Sequence, residues 1–407
     1  MELWRKNLYA SWVAEMIAMT AFQFVMPFMP FYIQELGVTD VGQVVQWAGI
    51  LTGVPAIAMT IFSPVWGSLA DIYGRKIMVE RAMFGSAVSI FFMASVTNVY
   101  QLLFFRILQA ALTGTVAACI ALVSSSSPPQ KMGYSLGLMQ TAIFTGTCIG
   151  PLLGGVLADN FGYRNSFHIT GILLFIAGLL VFFLVKEDFH PLPKKEVSSN
   201  NFWKNLKIIF SSQQLIIMIF IFFLVQFSVM IVNPVFALFI EEMFPYSIAI
   251  SSITGAMLAL TGFASAFSSA YIGRLSDKFG YKKLLIISIL GAGIFYLPHA
   301  FVANTSQLVL LRILLGLFYG GILPIANTII SLSTSTYDRG KAFGVTTSAT
   351  LLGNTLGPLA GGLIASTLSL KAIFIFAAAI LILTGIHIII AVKEPKTREH
   401  CSKFQHI

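Results

Sequence analysis

A chain of 407 residues that is 57% hydrophobic and 10% charged, with a mean hydropathy of +0.85, lies outside the range of water-soluble domains, where roughly a quarter of residues carry charge. The net charge of +9 invites a nucleic-acid reading, but the basic residues sit in alternate loops, and no nucleic-acid partner is expected. Cys119, Cys148 and Cys401 have neither disulfide-framework nor zinc spacing, so no metal and no cofactor is expected.

Apolar stretches of about 20 residues, each long enough to cross a hydrocarbon core of roughly 30 Å, are predicted at 9–33, 46–69, 77–97, 100–123, 133–157, 165–185, 214–240, 249–272, 283–303, 307–332, 341–366 and 371–392. The first is too long for a signal peptide and lacks a small-residue cleavage site, so with Arg5 and Lys6 before it it reads as an uncleaved anchor. With the N-terminus inside, Arg164 and Lys371 fall outside, Arg106 and Arg312 fall within spans, and the remaining Lys and Arg fall on the inner side. This positive-inside pattern places both termini in the cytoplasm. The expected location is a cell membrane, crossed many times, of the bacterial inner-membrane kind.

The polar stretch 186–213 divides the chain into an N-terminal six-helix half, 1–185, and a C-terminal six-helix half, 214–392, followed by a tail, 393–407. Within that linker, Phe202 and Trp203 beside Lys204 and Lys207 read as a short amphipathic piece on the inner membrane surface. The halves repeat in sequence at an offset of 206 or 207. Pro27 to Glu35 matches Pro234 to Glu242, and Gly67-Ser-Leu-Ala-Asp71-Ile-Tyr-Gly74 matches Gly273-Arg-Leu-Ser-Asp277-Lys-Phe-Gly280. Arg106-Ile-Leu matches Arg312-Ile-Leu, and Gly146 to Gly155 matches Gly353 to Gly362. An even number of spans per unit gives both halves the same orientation, related by an axis along the membrane normal, with a substrate site expected between them.

This order of elements resembles the major facilitator superfamily, specifically its twelve-helix drug/proton antiporters, over residues 5 to about 393. The resemblance rests on Gly67-x-Leu69-Ala70-Asp71-x-x-Gly74-Arg75-Lys76, on its second copy, and on the fifth-span Gly146-x-x-x-Gly150-Pro151-x-x-Gly154-Gly155. It implies an all-α membrane protein of twelve transmembrane helices in two halves with pseudo-two-fold symmetry. It also implies a monomer, working as a proton-coupled exporter of small amphipathic or cationic molecules by alternating access. A dedicated exporter or importer of one metabolite on the same scaffold, or a membrane sensor or enzyme without transport, are the alternatives. No nucleotide-binding loop, nucleophile elbow or catalytic carboxylate pair is present, so an ion gradient is the expected energy source.

By this resemblance Asp71 latches the start of the eleventh helix, near Asp338, Arg339, Gly340 and Lys341, and Asp277 latches the start of the fifth, near Lys131 and Gly133. A carboxylate suits the positive end of a helix, while Gly67 and Gly74 allow close backbone approach. The alternative is that these residues only obey topology and turn chemistry. Gly150-Pro151 and Gly357-Pro358 are expected to kink spans five and eleven, either as packing alone or as part of the transport cycle.

Ionisable groups inside spans are costly unless partnered or wet, and so point to function. Glu15 lies about 9 Å into the first helix at roughly 1.5 Å per residue, on a face with Met19, Gln23 and Met26. A carboxyl partly withdrawn from water can bind a proton in one state and release it in another; it could also attract a cationic substrate, or merely reach the interface. Arg106 shares a face with Gln109 and Thr113, and by the resemblance it is a proton-coupling arginine, although Ala110 stands where the family pattern has glycine. Arg312 reads as a second copy or as a side chain snorkelling outward. The family topology, in which helices 1, 4, 7 and 10 line the path, adds Gln23, Gln109, Gln226, Met230, Asn233, Tyr319, Leu323 and Asn327 as cavity candidates. His168, His299 and His387 read as isolated packing or interfacial residues.

Overall fold

A computed structural model of the chain describes residues 2–187, 213–245, 247–334, 339–392 and 394, and all its regular structure is helical. The helices are α1 (Leu3–Phe24), α2 (Met29–Glu35), α3 (Val41–Tyr73), α4 (Arg75–Met93), α5 (Val99–Leu112), α6 (Thr115–Ser126), α7 (Met132–Phe161) and α8 (Tyr163–Leu184). They continue with α9 (Gln213–Val232), α10 (Phe236–Met243), α11 (Ile250–Phe279), α12 (Tyr281–Tyr296), α13 (Thr305–Tyr319), α14 (Ile322–Ser333), α15 (Arg339–Thr367) and α16 (Ala372–Ala391). Among the described residues, nine helical stretches are long and apolar enough to cross a membrane, and the bent pair α1 and α2 makes a tenth. The predicted spans 77–97 and 341–366 coincide with α4 and α15, which are not among those ten. The amphipathic piece expected near Trp203 lies outside the described residues.

Packing divides the chain into two compact units, one of Met1–Glu196, Ile231–Gly262 and Pro358–Leu370, the other of Val197–Met230, Phe263–Gly357 and Lys371–Ile407, each as far as its residues are described. In the first, α1 packs on α7 and α8, α3 on α5, and α4 on α8 and α5. In the second, α12 packs on α16 and α13, which repeats the packing of α4 on α8 and α5.

Four predicted spans are broken. The first is interrupted between α1 and α2, which meet at 51°, and Pro27 and Pro30 lie in and just after the break. The seventh breaks at 233–235, around Pro234, between α9 and α10. Proline supplies no backbone donor and obstructs the preceding turn. The fourth breaks at Thr113 and Gly114, where Gly114 takes φ +118°, and the tenth at Gly320 and Gly321. The fifth span behaves differently: α7 continues through Pro151, as α15 does through Pro358.

The sequence repeat recurs in the hydrogen bonds. The Asn98 side chain accepts from Gln101 N at 3.0 Å while Gln101 Oε1 accepts from Thr97 N at 2.9 Å. Asn304 and Gln307 make the same reciprocal cap at 2.9 and 3.0 Å, satisfying donors that every helix start leaves open. Glu187 accepts from the N–H groups of Arg75 and Lys76 at 3.0 and 2.7 Å, and Glu394 from those of Tyr281 and Lys282 at 2.6 and 2.9 Å. The ammonium groups of Lys76 and Lys282 reach back to the carbonyls of Phe182 and Ile389, each at 2.8 Å. A carboxylate against a helix N-terminus, with lysine on the carbonyls of the helix that delivers it, ties α4 to α8 and α12 to α16.

The closest helix pairs follow the same register. A Cβ added at Gly146 or Gly150 would stand 2.5 Å from the Cβ of Met19 or Gln23, and one at Gly154 would run into the backbone of Phe24. At the positions 207 residues on, a Cβ at Gly353 would stand 2.9 Å from that of Gln226, one at Gly357 would stand 2.6 Å from that of Met230, and one at Gly361 would meet the backbone of Ile231. Small residues on one face let helix backbones touch where lipid gives no hydrophobic drive for association. Gly150→Val should therefore cost about 1–3 kcal/mol and lower the unfolding temperature in detergent, whereas Gly137→Ala, with no described atom within 4 Å of its Cβ direction, should not lower it. Equal unfolding temperatures for both variants would refute the contact.

Candidate functional site

The broken spans are the first, fourth, seventh and tenth, the four expected to line the path. Interrupted helices free backbone groups and concentrate polar chemistry at mid-depth. A cavity of about 30 Å³ lies at two of the breaks, bounded among others by Met26, Met29, Thr52, Arg106, Asn233 and Pro234. It has room for about one water molecule. Met26 and Asn233 occupy equivalent positions of the repeat, so the two breaks meet at one site. Span two contributes Ala48 and Thr52, which the list of path-lining helices had omitted.

Arg106 donates from Nε to the carbonyl of Leu51 at 3.3 Å and from Nη1 to Gln109 Oε1 at 3.3 Å. The expected pairing of Arg106 with Gln109 is present, and α3 supplies the second acceptor. Glu15 makes no ion pair among the described residues and is 0% exposed, so it does not reach the interface here. Its Oε1 accepts from Thr115 Oγ1 at 3.4 Å, the thiol of Cys119 lies beside it, and its Oε2 has no hydrogen-bond partner among the described residues. The break at Gly114 thus begins α6 with a hydroxyl and a thiol turned to the α1 carboxyl.

Gln23 packs on Gly150. Gln226 donates to Asn354 Oδ1 at 2.6 Å, Tyr319 is half-buried at the end of α13, and Asn327 is exposed on α14. Gly74 ends α3 at φ +99° and opens directly into α4, a turn that requires glycine. No described atom lies within 4 Å of the Cβ direction of Gly67, and part of the segment it was expected to approach lies outside the described residues. Asp71 is exposed. Its expected partner Asp338 and the side chains of Arg339, Lys341 and Asp277 lie outside the described residues. Arg312 does not snorkel: it is 3% exposed, within electrostatic reach of His299. His299 is fully buried, stacked on Phe374 at 5.4 Å, with Nδ1 on the Phe295 carbonyl at 2.8 Å.

Several polar groups escaped the sequence reading. Glu80 and Arg81 lie inside the predicted span 77–97, so Arg81 joins Arg106 and Arg312 within a span instead of falling on the inner side, and Glu15 is not the only acidic residue within one. Glu80 pairs with Lys76 at 3.6 Å. The Arg81 guanidinium lies 3.8 Å from the centre of the Trp66 ring, a cation–π contact, while Trp66 Nε1 donates to the Ala111 carbonyl at 2.6 Å. The repeat offset was the available signal for Glu187 and Glu394.

The sequence matches the Major Facilitator Superfamily over residues 11–256 and 218–406. This chain belongs to the major facilitator superfamily. It is similar to "Multidrug resistance protein MdtG" of Klebsiella pneumoniae (strain 342), 32% identical over 396 residues, 96% of this chain and 95% of that one. It is also similar to the "Multi-drug resistance efflux pump PmrA homolog" of Lactococcus lactis subsp. lactis (strain IL1403), 36% identical over 369 residues, 91% and 90% of the two chains. Among solved structures it shares its fold with a bacterial homologue of the human lysosomal transporter Spinster in an inward-facing, unoccupied conformation, with TM-score 0.77, 17% identity and 96% of each chain covered. It shares it equally with the nucleoside transporter NupG, with TM-score 0.77, 14% identity and coverage of 96% and 98%. The family consists of transporters rather than enzymes, and this member is a multi-pass membrane protein.

Arg106 joins α3 and α5 at the cavity through two donors held in one plane. Arg106→Ala should lower transport on the order of tenfold or more, and Arg106→Lys should restore only part of it, because an ammonium cannot serve both acceptors from a fixed fork. Uptake and efflux of a fluorescent substrate in membrane vesicles measures this, and full activity of the alanine variant would contradict it.

Proposed function

We propose that this chain is a proton-coupled secondary transporter that exports small amphipathic or cationic compounds, a multidrug efflux activity. The observation that carries the reading is Glu15, a carboxyl enclosed in a membrane-spanning bundle with one oxygen unpartnered among the described residues. A buried carboxylate without a counter-charge is expensive, whereas the protonated acid is not, so occupancy by a proton and enclosure favour each other. Re-exposure to water then favours release. The names of the similar MdtG and PmrA proteins support drug export as the coupled process.

In this reading twelve spans cross the bilayer as two six-helix halves, with both termini cytoplasmic by the distribution of Lys and Arg. Asp71 and Asp277 act as inner latches against helix starts in the opposite half, and the protein alternates access as a monomer. The Gly146, Gly150, Gly154 face of α7 holds α1 rigidly against it, so that Glu15 and Gln23 move with α7 as one body. Gln23, Gln109, Gln226, Asn233, Tyr319 and Asn327, with methionines such as Met26 and Met230, offer amides and polarizable groups to ligands of varied shape.

Glu15→Gln mimics the protonated acid and removes the exchangeable proton. It should abolish efflux driven by a proton gradient, and it should remove the pH dependence of cationic-ligand binding. Where the wild-type acid is protonated it resembles the variant; where it is ionised its carboxylate attracts the cation and the variant does not. Wild-type efflux with unchanged pH dependence in Glu15→Gln would remove Glu15 from the mechanism.

A further inference from the structure

At the end of α7 away from the chain terminus, Asp159 turns its carboxylate onto the first turn of α11. Oδ1 accepts from Ser251 N at 3.3 Å and Oδ2 from Ser252 N at 2.7 Å. Below it the two backbones meet without side chains between them. A Cβ on Gly155 would run into the carbonyl of Ser251, and one on Gly255 would run into the carbonyl of Pro151. Further down, a Cβ on Gly262 would stand 3.0 Å from Cys148 Sγ. All of these residues belong to one compact unit.

A second seam, between α3 and α15 in the same unit, is its repeat. Gly49 meets the carbonyl of Pro358, as Gly255 meets that of Pro151, and Gly362 meets the carbonyl of Val45, as Gly155 meets that of Ser251. The seams differ at the top. Where the first has Asp159 on Ser252, the second has Ser366, whose Oγ accepts from Gln46 Nε2 at 3.2 Å. The cause lies in where the partner helices begin. Ser251 and Ser252 are in the first turn of α11, where amides lack intrahelical acceptors. Val45 and Gln46 lie a full turn inside α3, whose start is capped by Asp40 on Gln43 N at 2.9 Å. Only the first seam offers a carboxylate two free amides at the positive end of a helix.

Resting on the orientation proposed above, we propose that Asp159 is a charged latch on the outer face. Its carboxylate holds the start of α11 against α7, so that one of two otherwise equivalent outer seams is locked by charge and the other is not. Asp159 lies in a recess of about 330 Å³ that also holds Glu35 of α2, Tyr163 of α8 and Glu241 of α10. Glu35 is engaged by Arg164 at 2.8 Å, so the nearby cation is occupied and the helix start supplies the positive potential at Asp159. Opening the outer side requires this contact to break, and neutralising the carboxylate favours that step.

The test is external labelling of Ser251→Cys, a position 1% exposed here, by a membrane-impermeant maleimide in intact cells, with protein lacking that cysteine as the blank for Cys119 and Cys148. Asp159→Asn should raise the labelling rate severalfold, on the order of 2- to 20-fold. Asp159→Ser, which copies the neutral seam, should do the same if the Asn variant fails to reach the membrane. Asp159→Glu keeps the charge and should stay within about twofold of wild type, as should Glu35→Gln and Ser366→Ala. The proposal is overturned if neutral variants at Asp159 label at the wild-type rate, or if Glu35→Gln raises the rate as much. A cysteine at exposed Thr39 keeps the two claims apart. If that cysteine is unreactive from outside, the orientation is wrong, and the same rate ratios in inverted vesicles then decide the latch.

Discussion

Backbone-to-backbone contact between helices, made possible by glycine at fixed spacing, is the constraint on which the rest of this structure depends. In a membrane the helices gain nothing by hiding apolar surface from one another, and association must come from packing and from polar contacts. Gly146, Gly150 and Gly154 set α7 on α1, and Gly353, Gly357 and Gly361 set α15 on α9 in the same register. One turn round the same helices, Gly155 and Gly362 face α11 and α3. Each glycine-rich helix therefore presents two smooth faces, one in a pairing within its own sequence half and one toward the other half of the sequence.

Polar groups occupy the places that this packing leaves. The helices that carry the glycine faces run unbroken through their prolines, while the spans beside them break and supply the polar site. Arg106, Gln109 and Asn233 gather at the breaks, where the breaks of the first and seventh spans meet in one small cavity. Glu15 lies deeper along α1 against the start of α6, enclosed by side chains with a hydroxyl and a thiol for company. The Glu15 carboxyl and the Arg106 guanidinium are held at separate places, the first by the α1 to α7 contact and the second by α3 and α5.

Much of this was legible in the sequence. The span pattern, the repeat and the glycine motif follow from composition and spacing, and the structure shows the same 206 to 207 offset down to individual caps and carboxylate contacts. Residues whose roles depend on where a helix begins were not legible. Asp159 and Ser366 stand at equivalent positions, and only the observed starts of α11 and α3 explain why one is acidic. Glu187 and Glu394 share the repeat offset, but that their carboxylates sit on the amides of α4 and α12 depends on where those helices begin. Arg312 stayed open between a buried second copy and an outward snorkel because a long cation within a span can reach either solvent or the protein interior, and periodicity does not decide between them.

The measurement that bears most directly on coupled exchange is the luminal pH of proteoliposomes loaded with a pH-sensitive dye when a lipophilic cation such as tetraphenylphosphonium is added outside. With the membrane potential clamped by potassium and valinomycin, inward movement of the cation should drive protons out, and the lumen should become more alkaline only when the protein is present. Cation entry with no change in pH, or with acidification, would contradict proton exchange by this chain.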